Sequence, residues 1–288
     1  MITPTIDPTC EDIAEHYDSL GVFYRDTWGD HLHHGYWETG QESAEQALDN
    51  LTATVFRFAH ISQGDTVVDI GSGYGATSLC IAERFDAKVT GYTLSRTQCT
   101  EAQERSNLLP VHTPSPIFHC LDWMKNELPD ASVDSIISIE CLSHIPDKAK
   151  FFKEVARVLK PGGHLGLSDW LAKEGPKDWE KGWLLEPICH EGRLAGLCDG
   201  AELQGLAKAA GLRVSKFNEI GPHVRKTWRI ITARLIGKLF TQREYRAFLV
   251  RNLKSDRIFA LTIARMIAAY ATGSLGYGLL SVEKARCD

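Results

Sequence analysis

The stretch Val67-Val68-Asp69-Ile70-Gly71-Ser72-Gly73-Tyr74-Gly75 decides the fold. A short apolar strand ends in an acid, and three glycines alternate behind it. Glycine permits a sharp turn and a close approach of the backbone to a ligand. A strand, a glycine turn and a helix in succession place that ligand at the mouth of an open α/β sheet. The spacing is D-x-G-x-G-x-G, whereas the turn that cradles a dinucleotide pyrophosphate reads G-x-G-x-x-G. That difference, and the lack of an acid at Thr93, count against a nicotinamide oxidoreductase.

The rest of the chain continues the pattern in order. Val89-Thr90-Gly91-Tyr92-Thr93-Leu94-Ser95 reads as a second strand and its exit loop, and Phe118 to Trp123 as the end of a third. Ser132 to Ile139 reads as a buried parallel strand whose exit loop carries Glu140 and His144. Asp147 is placed to cap a helix bearing Phe151, Phe152, Val155, Val158 and Leu159. Lys160-Pro161-Gly162-Gly163 then turns the chain into a fifth strand, His164 to Trp170. The glycine stretch resembles motif I of the class I S-adenosylmethionine (SAM)-dependent methyltransferases, and L-K-P-G-G is frequent in the same superfamily.

The resemblance implies a doubly wound, seven-stranded, mostly parallel α/β sheet in the order 3-2-1-4-5-7-6, the Rossmann-like methyltransferase fold. It implies SAM as cofactor and S-adenosylhomocysteine as product. Asp69, Gly71, Gly73 and Gly75 become cofactor contacts. Thr93 stands where many relatives carry a ribose-binding acid. The T-L-S-x-x-Q pattern is similar to cyclopropane-synthase-like and sugar O-methyltransferase branches, which adds Leu94 and Gln98. Ser95 fits the N-cap of the next helix. Asp122 has the acceptor for the adenine amino group and Trp123 the face to pack on its ring.

Residues 16–37 are rich in aromatics and histidines. They look like the N-terminal lid of tocopherol, sterol, glycine/sarcosine and sugar O-methyltransferases. Tyr24 and Trp28 are candidates to close over the sulfonium of the cofactor. His34, Tyr36 and Trp37 are candidates to line the acceptor pocket. The histidines 31, 33 and 34 lack a second ligand group at metal-site spacing, so no metal is expected. His144, which titrates nearest neutrality, is the first candidate for a base. Glu140 and Asp169, at the carboxyl ends of strands four and five, face the site by the open-sheet rule. Glu140 is a candidate for a second role, holding the SAM amino group. Some related O-methyltransferases carry a histidine pair in this loop. Ser143 replaces the first, which leaves O-, N- and C-methylation open.

Composition fits a globular enzyme. The chain has 288 residues, 43% hydrophobic and 24% charged, with a formal charge of −5. Nothing in that balance, and no N/D-P-P-Y/F motif, calls for nucleic acid. The eight cysteines form no C-x-x-C pair and suit buried thiols in a reducing cytoplasm, the expected location. No signal peptide or membrane-length apolar run is read. The expected organisation is a helical lid over 1–60, an α/β core over 61–222, a helical insertion between strands six and seven over 223–273, and the last strand over 274–288. The insertion carries eleven Lys or Arg against two acids, a formal +9 that leaves −14 for the rest. It therefore either packs on the acidic core, holds an anionic (phosphorylated or carboxylated) acceptor, or meets an anionic membrane surface. The partner expected is a small-molecule acceptor, apolar or amphipathic and natural-product-like. A homodimer and a SAM-binding scaffold without turnover stay open.

Overall fold

In the computed structural model, which describes residues 1–4, 7–246 and 256–286 (side chains at 22, 23 and 256–260 apart), Thr66–Ile70 forms β1. Its successive side chains serve two cores. Val67 packs with Leu51, Val55, Ile81 and Ile137 on one face of the sheet. Val68 and Ile70 pack with Ile136, Phe151, Phe152 and Leu165 on the other. A strand buried on both faces needs a continuous apolar run, and helices must cover both sides.

The remaining strands are β2 (Lys88–Thr93), β3 (Ile117–Cys120), β4 (Val133–Ile139), β5 (Leu159–Ala172), β6 (Leu212–Glu219) and β7 (Leu275–Lys284). They form one seven-stranded sheet in the order β3-β2-β1-β4-β5-β7-β6, with β7 antiparallel to both neighbours. The order reverses between β1 and β4, and a crevice opens at their carboxyl ends. The L-K-P-G-G segment differs from the expected turn: β5 already begins at Leu159. Val133 pairs with Leu159 and Ser135 with His164, so the extra residues form a bulge, with Gly162 at φ 81°.

Helices outside the β-α alternation flank the crevice (Cys10–Trp28 and the insertion) and cover one face of the sheet (Ala44–Phe58). Helix α1 (Cys10–Trp28) is started by a capping box between Thr9 and Asp12, and helix α2 (Ala44–Phe58) by one between Ser43 and Gln46. Between β6 and β7 run Lys226–Thr241 and Asp256–Thr272, the main helices of the basic insertion. Of its cations, Arg251 and Lys254 lie outside the described residues. Others are spent on the lid helix and the core: Lys238 pairs with Asp26 and Arg234 donates to the Thr27 carbonyl at 2.7 Å, both in α1, while Arg265 pairs with Glu191. No helix among the described residues is long and apolar enough to cross a membrane.

The third motif glycine fixes the start of the helix Ala76–Phe85. Gly75 sits at φ 78°, and a Cβ there would lie 2.7 Å from the Phe118 ring and 2.9 Å from Ala102. Left-handed strain and overpacking combine in Gly75→Val, which is expected to lower the unfolding free energy by about 2–4 kcal/mol. Urea titration followed by circular dichroism checks this, and an unchanged midpoint contradicts it.

Candidate active site

The loops after β1, β2, β3 and β4 meet at one cavity of about 250 Å³. The backbone N–H groups of Gly71 and Ser72 both donate to the Tyr92 carbonyl at 2.9 Å, which curls the glycine loop over β2. A Cβ on Gly71 would lie 2.6 Å from Cβ of Cys141, so this glycine lets two loops touch. Gly73, at φ 53°, lines the cavity, and a Cβ there would meet no protein atom within 4 Å. Asp69 stands behind the loop and off the cavity wall. Its carboxylate accepts from Ser78 Oγ at 2.6 Å, and burial pushes its pKa up to about 6 despite that bond.

Thr93, Leu94, Gln98, Asp122 and Trp123 line the same end of the cavity. Thr93 Oγ1 donates to Gln98 Oε1 at 2.9 Å, which orients the amide. Ser95 Oγ accepts from the Gln98 backbone at 3.1 Å and donates to Asp18, so it both caps a helix and meets the lid. Asp122 Oδ1 accepts from the Met124 N–H at 2.9 Å. The buried Trp123 indole N–H and Ser72 hydroxyl have no partner among the described residues. A glycine cradle open at Gly73, a carboxylate and an aromatic plane match the donor and acceptor set of an adenosyl ligand.

Glu140 is the most heavily bonded side chain of the cavity. It is a non-glycine residue at φ 52°, which turns its carboxylate inward. Oε1 accepts from the His34 backbone at 2.7 Å, His34 Nδ1 at 2.9 Å and Tyr277 Oη at 2.8 Å, and Oε2 from Trp170 Nε1 at 3.0 Å. His34 Nε2 in turn accepts the Trp228 indole N–H at 2.8 Å. Indole nitrogen only donates, so His34 is the neutral Nδ1–H tautomer. Burial works against the Glu140 charge, while the hydrogen bonds that it accepts from His34 favour the charged form and lower the carboxyl below its ordinary range. Four donors hold Glu140 as an anion, which suits the candidate base better to holding a cation. Oε2, with a single donor, keeps capacity for a ligand ammonium or hydroxyl.

Asp169 is corrected. Its oxygens accept the backbone N–H groups of Ser143 and Trp170, each at 2.7 Å, and it does not line the cavity. Burial raises its pKa to about 6. It shapes the loop that carries His144. That imidazole lies on the wall between the Arg193 carbonyl, 2.9 Å from Nδ1, and Tyr17 Oη, 3.0 Å from Nε2. Burial depresses its pKa to about 4.

Tyr24, Trp28 and His34 line the cavity as well, joined by Ile13, His16, Tyr17, Trp170, Leu194 and Trp228, which the sequence reading did not single out. Tyr17 was within reach of it: 13, 17, 24 and 28 share one face of a helix. Tyr36 and Trp37 are placed elsewhere. Tyr36 packs edge-on to His223, and Trp37 donates to the Glu42 carbonyl at 3.0 Å, outside the cavity wall. No histidine, cysteine or acid cluster suited to a metal occurs among the described residues.

Residues 5–269 match the family described as mycolic acid cyclopropane synthetase. The chain belongs to this family. It is 30% identical over 278 residues to 27-O-demethylrifamycin SV methyltransferase of Amycolatopsis mediterranei, covering 96% of this chain and 98% of that one. The structure of mycolic acid cyclopropane synthase CmaA1 complexed with SAH and CTAB superposes with a TM-score of 0.82 at 21% identity, over 97% and 99% of the two chains. The [4+2]-cyclase SpnF superposes at 0.74 with 25% identity over the whole of both chains. The family member is thus a SAM-dependent methyltransferase of small molecules, and SAM is its methyl donor.

The glycine loop gives a direct test. Gly73→Val meets no protein atom but carries the left-handed strain of φ 53°, so it is expected to keep the fold at a cost of about 1–3 kcal/mol and to weaken SAM binding at least about tenfold by filling the ligand's space. Isothermal titration with SAM measures it, and unchanged affinity would remove Gly73 from the site.

Proposed function

We propose that this methyltransferase acts on a hydroxyl group of a small, largely apolar, ring-bearing acceptor. The observation that carries this reading is the wall of the cavity. Tyr17, Tyr24, Trp28, Trp170 and Trp228 surround its acceptor side, and no Lys or Arg lines it among the described residues. A phosphate or carboxylate would be desolvated there without a cationic partner. The basic insertion contributes Trp228 to this wall, while the cations described above turn outward to Asp26 and Glu191. The name of the rifamycin relative, an O-methylating enzyme, supports oxygen as the acceptor atom.

The chemistry asks for an acceptor oxygen in line with the sulfur–methyl bond and for a proton acceptor beside it. Glu140 supplies an anion on the cofactor side, with which a sulfonium or ammonium is favourably placed. His144 is the neutral base on the acceptor side, because Asp169 is buried behind its loop. The lid over 1–60 and the insertion over 223–273 supply the aromatic groups that exclude water.

Turnover is read as S-adenosylhomocysteine release with 2-naphthol as the minimal neutral acceptor and 2-naphthyl phosphate as its anionic counterpart. The naphthol is expected to be methylated and the phosphate not. Preference for the phosphate contradicts the reading, and tight SAM binding with no release from any acceptor points to a scaffold or a cyclase-like role. His144→Ala is expected to lower kcat about 10²–10⁴-fold.

The pH profile follows from the direction of the His144 shift. A pKa lowered from 6.5 to about 4 keeps the ring neutral, hence basic, throughout the range between those values. The acidic limb of kcat is therefore expected near pH 4. A limb centred at the ordinary histidine value contradicts the buried, Arg193-bonded base.

A further inference from the structure

The geometry points to Tyr17 as the residue that completes the base: its hydroxyl, carried by the lid helix, holds His144 Nε2 and relays the acceptor's proton to it. This inference rests on His144 as the base. The Arg193 carbonyl can only accept, so His144 Nδ1 carries the ring proton and Nε2 is the free lone pair. Tyr17 Oη stands 3.0 Å from that lone pair and donates to it. Burial, reinforced by nearby Tyr24, Cys141 and the acids Glu140 and Asp169, pushes the Tyr17 phenol well above its ordinary value, so the proton stays available for donation.

Tyr17 and His144 both line the cavity, and the Tyr17 hydroxyl occupies the Nε2 lone pair. Its ring packs edge-on to His144 at 5.6 Å between centroids and beside Tyr24 at 6.2 Å, on the acceptor side of the cavity. With that lone pair already engaged, an acceptor hydroxyl reaches the base through Oη. The acceptor oxygen bonds to the methyl carbon as the carbon–sulfur bond breaks, and its proton passes to Tyr17 Oη. The Tyr17 proton passes to His144 Nε2, and the imidazolium later returns it to water. Tyr17 ends unchanged and S-adenosylhomocysteine leaves.

Tyr17 belongs to the lid, and the lid is fastened on its outer side by polar contacts. Asp18 accepts from Ser95 Oγ and from the Thr97 N–H at 3.3 Å, Arg25 pairs with Glu101, and Asp26 with Lys238. Exposed pairs of this kind are individually weak. A helix so held can lift to admit ligands, and the base is complete only when it returns. Closure and proton transfer are thereby coupled through one hydroxyl.

The experiment compares Tyr17→Phe, His144→Ala and the parent chain with 2-naphthol and with 2-naphthalenethiol at mildly alkaline pH. The thiol is ionised there and has no proton to relay, and its soft sulfur anion is far less costly to desolvate than a phosphate or carboxylate. Tyr17→Phe is expected to lower kcat for the naphthol by about 10–100-fold with little change in KM, and to leave the thiol reaction within about twofold. Equal losses on both acceptors would make Tyr17 a wall residue and overturn the relay. A normal naphthol rate in Tyr17→Phe beside an impaired His144→Ala overturns the relay alone, and normal rates in both overturn the base assignment too. Nitrogen-15 spectra of histidine-labelled protein give a readout independent of any acceptor. Tyr17→Phe is expected to move the His144 Nε2 resonance toward that of an unbonded imidazole nitrogen, and an unmoved resonance contradicts the inference.

Discussion

The buried carboxylate of Glu140 is the constraint on which the site depends. An ion removed from water is costly unless its lone pairs are satisfied. Here they are met by groups from separate parts of the chain: the lid through His34, β5 through Trp170 and β7 through Tyr277. Trp228 and Tyr270 of the insertion join through His34 Nε2. Each of these donors is neutral. The anion is therefore solvated by the protein but not cancelled by it, and the cavity beside Oε2 is left with a preference for positive charge. A SAM sulfonium and ammonium meet that preference, and the same bonds draw the lid and insertion over the crevice.

Charge is partitioned around this centre. The −14 of the remainder and the +9 of the insertion attract each other across the surface, through pairs such as Lys238–Asp26 and Arg265–Glu191. The chamber between them is lined by aromatic rings and carries two carboxylates, Glu140 and Asp122. Surface charge closes the molecule, and low polarity inside strengthens every interaction that the reacting groups make. The buried histidines fit this arrangement: His16, His33 and His144 are all depressed to about 4 by burial and stay neutral.

The fold was legible because its strands are short apolar runs that end in glycines and acids, and because the strand-loop-helix rule places those ends together. Gly73, Gln98 and Asp122 follow from that local grammar. What failed were side-chain directions and distant partners. The open-sheet rule puts Asp169 at the right end of β5, but alternation along the strand turns it beneath the loop rather than into the cavity. Glu140 reads as a base until His34, more than a hundred positions earlier, is seen to bond it. Trp170 and Trp228 carry no local signal at all, since their place on the wall is set by tertiary packing. Tyr36 and Trp37 share an aromatic run with His34, yet the chain has already left the cavity when it reaches them.

The most direct measurement is a crystal structure of the full chain with S-adenosylhomocysteine and 2-naphthol. The account predicts the homocysteine portion along Gly73 and beside Glu140 Oε2, with the Glu140–His34 bonds intact. The sulfur should face the naphthol oxygen, itself within hydrogen-bond reach of Tyr17 Oη. A cofactor bound away from Gly73, a broken Glu140–His34 contact, or an acceptor seated beside Trp37 and His223 would contradict it.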